Sequence, residues 1–128
     1  MERAWSGPRN PEGEWSRTIE IVYANRRLEE ACRSDKAARQ RWGPQGHTVI
    51  VRIAVICAAV TMADLVHAPG RFHSLIGNRA GTYALRVSAS LRLVIAPDGE
   101  PPRKPDGGVD LARVTTARIL EVTDYHEE

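Results

Sequence analysis

Acidic residues are missing from one long stretch of this chain. From Arg71 to Ala96, RFHSLIGNRAGTYALRVSASLRLVIA, there is no Asp and no Glu, yet the stretch carries Arg71, His73, Arg79, Arg86 and Arg92. Lysine is scarce throughout: of 18 basic residues, all but Lys36 and Lys104 are arginine. Cysteine is nearly absent. Cys32 and Cys57 stand far apart, and neither has a second Cys or a His at ligand spacing, which argues against a disulfide framework or a cysteine-based metal centre. Both are expected to be reduced core residues. Long apolar runs are also missing. The most apolar window, Ile53 to Ala63, falls short of the roughly 20 residues a membrane span needs, so no membrane partner is expected. The opening stretch, Met1 to Thr18, is polar and punctuated by Gly7, Pro8, Pro11 and Gly13, unlike a secretory leader. A cytoplasmic protein is expected. There is no internal repeat, no low-complexity tract and no set of carboxylates or histidines at ligand spacing, so no metal or other cofactor is expected.

The 128 residues suffice for one domain with a modest core. A net charge of +2 does not by itself predict a nucleic-acid partner, but its distribution does more. Positive charge gathers at Arg71 to Arg92, while the C-terminal end holds Glu121, Asp124, Glu127 and Glu128. Arginine suits phosphate because its guanidinium is planar, forked and always charged. An arginine-rich and alanine-rich composition also fits a GC-rich genome.

Residues 1–17 read as a flexible extension, with 18–126 as the domain. Thr18 to Tyr23 alternates Ile19, Ile21 and Tyr23 with period two, which predicts a strand. Asn25 is placed to cap a helix over Arg26 to Arg33, with Leu28 and Cys32 one turn apart. Ser34 or Asp35 caps a second helical piece, Lys36 to Trp42, and Gly43-Pro44 stops it. His47 to Val66 has β-branched residues that suit a strand, but its length and alanines predict a third helix. Pro69-Gly70 ends it. Two alternating runs follow, Tyr83 to Ser88 and Leu91 to Ala96, joined as a tight hairpin at Ser88 to Ser90. Tyr83, Leu85 and Val87 share one face of the first strand; Leu91, Leu93 and Ile95 share one face of the second. Arg86 and Arg92 therefore share the open face, unless a bulge shifts the register. Pro97 to Thr115 is turn-rich and long for a hairpin loop. A final strand, Thr116 to Thr123, leads into Asp124, Tyr125 and His126. The fold class is α+β: a small antiparallel sheet with helices packed on one face, in the order β-α-α-β-β-β.

The residues gathered here suit cutting a phosphodiester. Cleavage of RNA needs a base for the 2′-hydroxyl proton, cations for the phosphate charge and an acid for the leaving 5′-oxygen. Histidine suits the proton steps because its pKa lies near neutrality. Arginine suits the phosphate. Tyrosine can stack on a base. No metal is required by this chemistry. Taken singly, each residue has an ordinary reading as a loop histidine, a solvated arginine or a frayed terminus. Taken together, on adjacent strands with no acid in the central stretch, they form a candidate site.

The segments RFHSLIGNRAGTYALRV, LRLVIAP, PPRKPDGGVD and VTTARILEVTDYH, with IEIVYANRRLEEACRSDKAARQRWG before them, resemble the HigB branch of the RelE-like toxins of bacterial type II toxin–antitoxin systems, some of which are called killer suppression proteins. The resemblance spans about Ile19 to His126. It implies a compact RelE-like α+β fold and endoribonuclease activity on mRNA in the ribosomal A site. It further implies a cognate antitoxin, expected to be of helix-turn-helix type, and operator DNA bound only through the antitoxin complex. By motif position, His73 matches the histidine before the family's LxGxRxG segment, and Arg79 matches that segment's arginine. Arg92 matches the phosphate-stabilising arginine of the following strand. Asp124, Tyr125 and His126 match the catalytic C-terminal end. The resemblance thus implies His126 for proton transfer with His73 assisting, Arg92 for the phosphate and Tyr125 for stacking or orientation. Arg71, Arg79 and Arg86 are expected to bind RNA. Two features depart from the family pattern: Ile76 replaces a lysine found in some members, and the segment 47–66 is unusually apolar. A toxin on this fold that inhibits a protein target, and an inactive antitoxin-binding module, are the competing readings.

Overall fold

The computed structural model describes residues 18–124. The expected extension over residues 1–17, and Tyr125 and His126, lie outside the described residues. Strand β1, Glu20–Tyr23, runs into helix α1, Arg26–Ala31. Asn25 caps that helix, its Oδ1 accepting from the Leu28 N–H at 2.8 Å. Helix α2, Asp35–Trp42, is capped by Ser34, whose Oγ accepts from the Ala37 N–H at 3.0 Å. Each such cap satisfies an orphan N–H and contributes about 1 kcal/mol. Gly43, at φ 68°, ends α2 in a conformation that glycine adopts freely.

Helix α3, Gly46–Cys57, buries Val49, Ile53 and Ile56, spaced to share one face. It lies close on α2 because Gly46 has no side chain: a Cβ there would sit 2.4 Å from the backbone of Ala38. The helix expected to reach Val66 stops at Cys57. The chain turns at 58–61 because the Asp64 carboxylate accepts from the N–H groups of Val60 and Thr61, at 2.8 and 3.1 Å, and starts a separate 3₁₀ turn, Met62–His67. Cys57 is exposed rather than in the core, and Cys32 is half-buried; both are free thiols. Among the described residues, no helix is long and apolar enough to cross a membrane.

Strands β2, His73–Ser74, β3, Tyr83–Arg86, β4, Leu91–Pro97, and β5, Thr116–Asp124, complete a five-stranded sheet in the order β1-β5-β4-β3-β2. The sheet is mixed rather than wholly antiparallel. After β1 the chain crosses through the helices to the opposite edge, and β5 returns to lie between β1 and β4. Glu20 to Tyr23 pair in parallel with Thr116 to Ile119, and the remaining neighbours are antiparallel. The expected element order also lacked the short strand β2. The segment 98–115 is not a plain loop: it holds a bridge between Arg103 and Val109 and a 3₁₀ turn, Leu111–Arg113.

One sheet face is the core. Tyr83, Leu85, Leu93, Ile95, Ala117 and Ile119 pack beneath Leu28, Val49, Ile53, Ile56, Met62 and Leu65. Fully burying one such Leu or Ile removes enough apolar surface from water to contribute about 1.5–3 kcal/mol. The helices pack on that face, and on the other Ala84 and Val94 are also fully buried.

Candidate active site

The open face takes its chemistry from strand register. Tyr83 pairs with Ile95, Ala84 with Val94, Leu85 with Leu93 and Arg86 with Arg92. Residues directly opposite across an antiparallel pair project to the same side, so the alternation that buries Leu85 and Leu93 sends Arg86 and Arg92 the other way. The turn between the strands is longer than expected, spanning 87–90, with the N–H groups of Val87 and Ser88 both donating to the Leu91 carbonyl. The expected register survives. Two like charges facing each other across a ladder are destabilising on their own.

His73 joins the same face because it pairs with Ala84, two residues before Arg86 on β3. Its ring orientation is set by its own backbone. Nδ1 lies 2.8 Å from the Arg71 carbonyl oxygen. A carbonyl only accepts, so Nδ1 carries the proton in this bond, which leaves Nε2 for another partner. Arg71 sits at φ 53°, the one positive-φ residue other than glycine among the described residues. That conformation costs a non-glycine residue roughly 1–2 kcal/mol. Gly70 before it, at φ 118°, passes so close to the sheet that a Cβ would lie 2.8 Å from the Leu85 side chain. The Arg86 N–H donates to the Gly70 carbonyl at 2.6 Å. From the other side, Nε of Arg52 on α3 donates to the Arg86 carbonyl at 2.8 Å. Phe72 stacks on Tyr83, with ring centroids 5.1 Å apart and planes within 8°.

These contacts bring Arg71, Phe72, His73, Arg86 and Arg92 around one cavity of about 400 Å³. That is the size range of small-molecule sites. Among the described residues, its lining has four groups able to carry or share positive charge and no carboxylate. Arg71 and His73 are exposed, while Arg86 and Arg92 are half-buried.

The other expected residues fall elsewhere. Arg79 donates to Glu121 at 2.5 Å, and both side chains are 40% exposed. A bulge on β5 makes this pair possible. Val94 pairs with Glu121 but Ile95 with Ile119, so Leu120 is the extra residue. Without it, Glu121 would turn toward the core and Val122 toward the open face. Asp124 pairs with Leu91 and is exposed; Thr123, not Asp124, stands opposite Arg92. The register puts Asp124 on the side away from Arg92. Sequence reasoning missed Phe72, Arg52 and Glu121. The stack on Tyr83, the reach from α3 and the bulge are all long-range, and no local periodicity signals them.

No family model matches the chain, and no curated protein matches it. Solved structures do. A YoeB/ParE toxin from Agrobacterium tumefaciens superposes with a TM-score of 0.50 at 12% identity, over 84% of this chain and 100% of that one. A YoeB-YefM complex from Staphylococcus aureus superposes at 0.50 with 16% identity, over 85% of this chain and 98% of that one. At these identities the likeness is one of fold: a five-stranded mixed sheet with helices on one face, as in the toxins.

Proposed function

We propose that this protein is the toxin of a type II toxin–antitoxin pair in the RelE/ParE group, with HigB-like sequence character, and that it cleaves mRNA on the ribosome. The observation that carries the reading is the cavity of Arg71, His73, Arg86 and Arg92, with no carboxylate among its described lining residues. The fold shared with the YoeB/ParE toxin supports the toxin role. A complex with a YefM antitoxin, which a fold relative forms, supports an antitoxin partner for this chain.

In this reading the scissile phosphate lies between Arg86 and Arg92. The 2′-oxygen attacks phosphorus as its proton leaves, and the bond from phosphorus to the 5′-oxygen breaks as that oxygen gains a proton. His73, with Nε2 open to accept, and His126 divide the two proton transfers. The guanidinium groups of Arg92 and Arg86 hold the charge that grows on the phosphoryl oxygens. Donors aimed at that charge are worth about 3–4 kcal/mol each in a site shielded from water. Arg71 and the stacked Phe72 position the neighbouring nucleotide, and Tyr125 stacks on or orients the base. The products are a 2′,3′-cyclic phosphate and a 5′-hydroxyl.

The test is purified protein added to ribosomes carrying a defined mRNA. Cleavage yielding a 5′-hydroxyl end, reduced by about 10²–10³ in Arg92→Ala, supports the reading. Intact mRNA under conditions where the protein arrests growth rejects it in favour of a toxin acting on a protein target.

A further inference from the structure

Beyond the cavity, the sheet continues past β4 to β5, whose free edge faces a second group of arginines. Arg86 pairs with Arg92, and Arg92 pairs with Thr123 of β5. The next lane is empty of strand, because β1 pairs with β5 only as far as Ile119. There, alongside Leu120, Glu121 and Val122, lies a groove of about 240 Å³ walled by Arg27 of α1 and by Arg41 and Trp42 of α2. Arg27 and Arg41 are exposed and make no ion pair among the described residues. Arg41 lies 5.9 Å from the Trp42 ring centroid. Among the described residues lining the groove, the one carboxylate, Glu121, is already held by Arg79.

We infer that single-stranded RNA continues from the Arg86–Arg92 cavity across Thr123 into this groove, with phosphates on Arg27 and Arg41 and a base against Trp42. The inference rests on the proposed function and adds a second binding subsite to it. Adjacent strands are about 4.8 Å apart, so the track from Arg86 crosses about 10 Å of sheet to reach β5 and then rounds its free edge to the helix side. An indole face flanked by two arginines is the combination that binds single strands without reading sequence: cations for the backbone and a π surface for a base. A carboxylate-bearing peptide would use the arginines but gain less from the indole face, and it would not account for continuity with the cavity.

The experiment measures binding of two fluorescein-labelled single-stranded RNAs, a trinucleotide and a strand of about twelve nucleotides, to the full chain across a salt series. The variants are Arg27→Ala/Arg41→Ala and Arg92→Ala. The double variant is expected to bind the longer RNA about tenfold more weakly, with its salt slope lowered by about 0.7 per lost phosphate contact, and the trinucleotide unchanged. Arg92→Ala is expected to weaken both probes. Quenching of tryptophan emission by the longer RNA is expected to shrink in Trp42→Phe.

Unchanged binding of both probes in the double variant, with Arg92→Ala still weakened, overturns the groove while leaving the cavity; the groove would then belong to a protein chain. Equal weakening of both probes by the double variant also overturns it, because the effect would then be general. Failure of the parent protein to bind either RNA overturns both the groove and the nuclease reading.

Discussion

Replacing Arg52 by Met separates the scaffold from the site. Arg52 leaves α3, passes beside Gly70 and donates from Nε to the Arg86 carbonyl at 2.8 Å. Met keeps the apolar stem and removes the donor. A half-buried hydrogen bond from a charged group contributes about 1.5–3 kcal/mol, so a loss of about 2 kcal/mol is expected. For a domain of this size, each kcal/mol moves Tm by roughly 4 °C, giving a fall of about 8 °C. The functional consequence follows from position. The Arg86 backbone is held between the Gly70 carbonyl and Arg52, and loosening one hold shifts the base of a side chain whose Nε donates to the Ser88 carbonyl at 3.2 Å. A misplacement of about 1 Å costs up to roughly 10²-fold in rate, so cleavage of ribosome-bound mRNA is expected to fall at least tenfold. Gly99→Ala is the control: at φ 79° with nothing within 4 Å of a new Cβ, it strains the backbone of the turn after β4 without touching a cavity residue. Calorimetry and cleavage assays on both variants decide the matter. An Arg52→Met protein that melts with the parent, or that melts lower yet cleaves as well as the Gly99→Ala control, refutes the reasoning.

Gly46→Ala is expected to destabilise the fold by about 2–3 kcal/mol, read by urea titration, because the new Cβ meets the Ala38 and Arg39 backbone rather than a yielding side chain. Asp35 accepts from Arg39 at 2.6 Å and bonds His47 at 2.8 Å, and these hydrogen bonds hold its carboxyl below the ordinary value of 3.8. A depressed folded-state pKa contributes stability that is present above 3.8 and lost as pH falls through the folded value. The gap in urea midpoint between parent and Asp35→Asn should therefore be full at pH 6 and close below 3.8. Burial pushes the Cys32 thiol up to about 11, so its alkylation by iodoacetamide is expected to be slow at pH 8 and to accelerate as pH approaches 11.

The parts of this structure that could be read from sequence are those fixed by local patterning. Asn25 and Ser34 cap their helices because a short polar side chain precedes each helical run. Arg86 and Arg92 share a face because two period-two runs flank a short turn, and any in-register hairpin pairs them so. What escaped was set by distant contacts. The β-branched run after Val49 did form a helix, but its end at Cys57 depends on Asp64 catching the backbone of the next turn. The parallel pairing of β1 with β5 joins residues nearly a hundred positions apart. Leu120 looks like any strand leucine, yet as a bulge it turns Glu121 toward Arg79. Of the expected site, Arg71, His73, Arg86 and Arg92 come together, and Phe72 completes a cavity that spacing alone could not disclose.

The most direct test of the central claim is a map of mRNA 5′ ends after the protein is induced in a bacterium, alongside Arg92→Ala and His126→Ala. The account expects new 5′-hydroxyl ends within translated messages, in frame with codons and lost in both variants. Growth arrest with no new ends, or new ends that persist in Arg92→Ala, would contradict it.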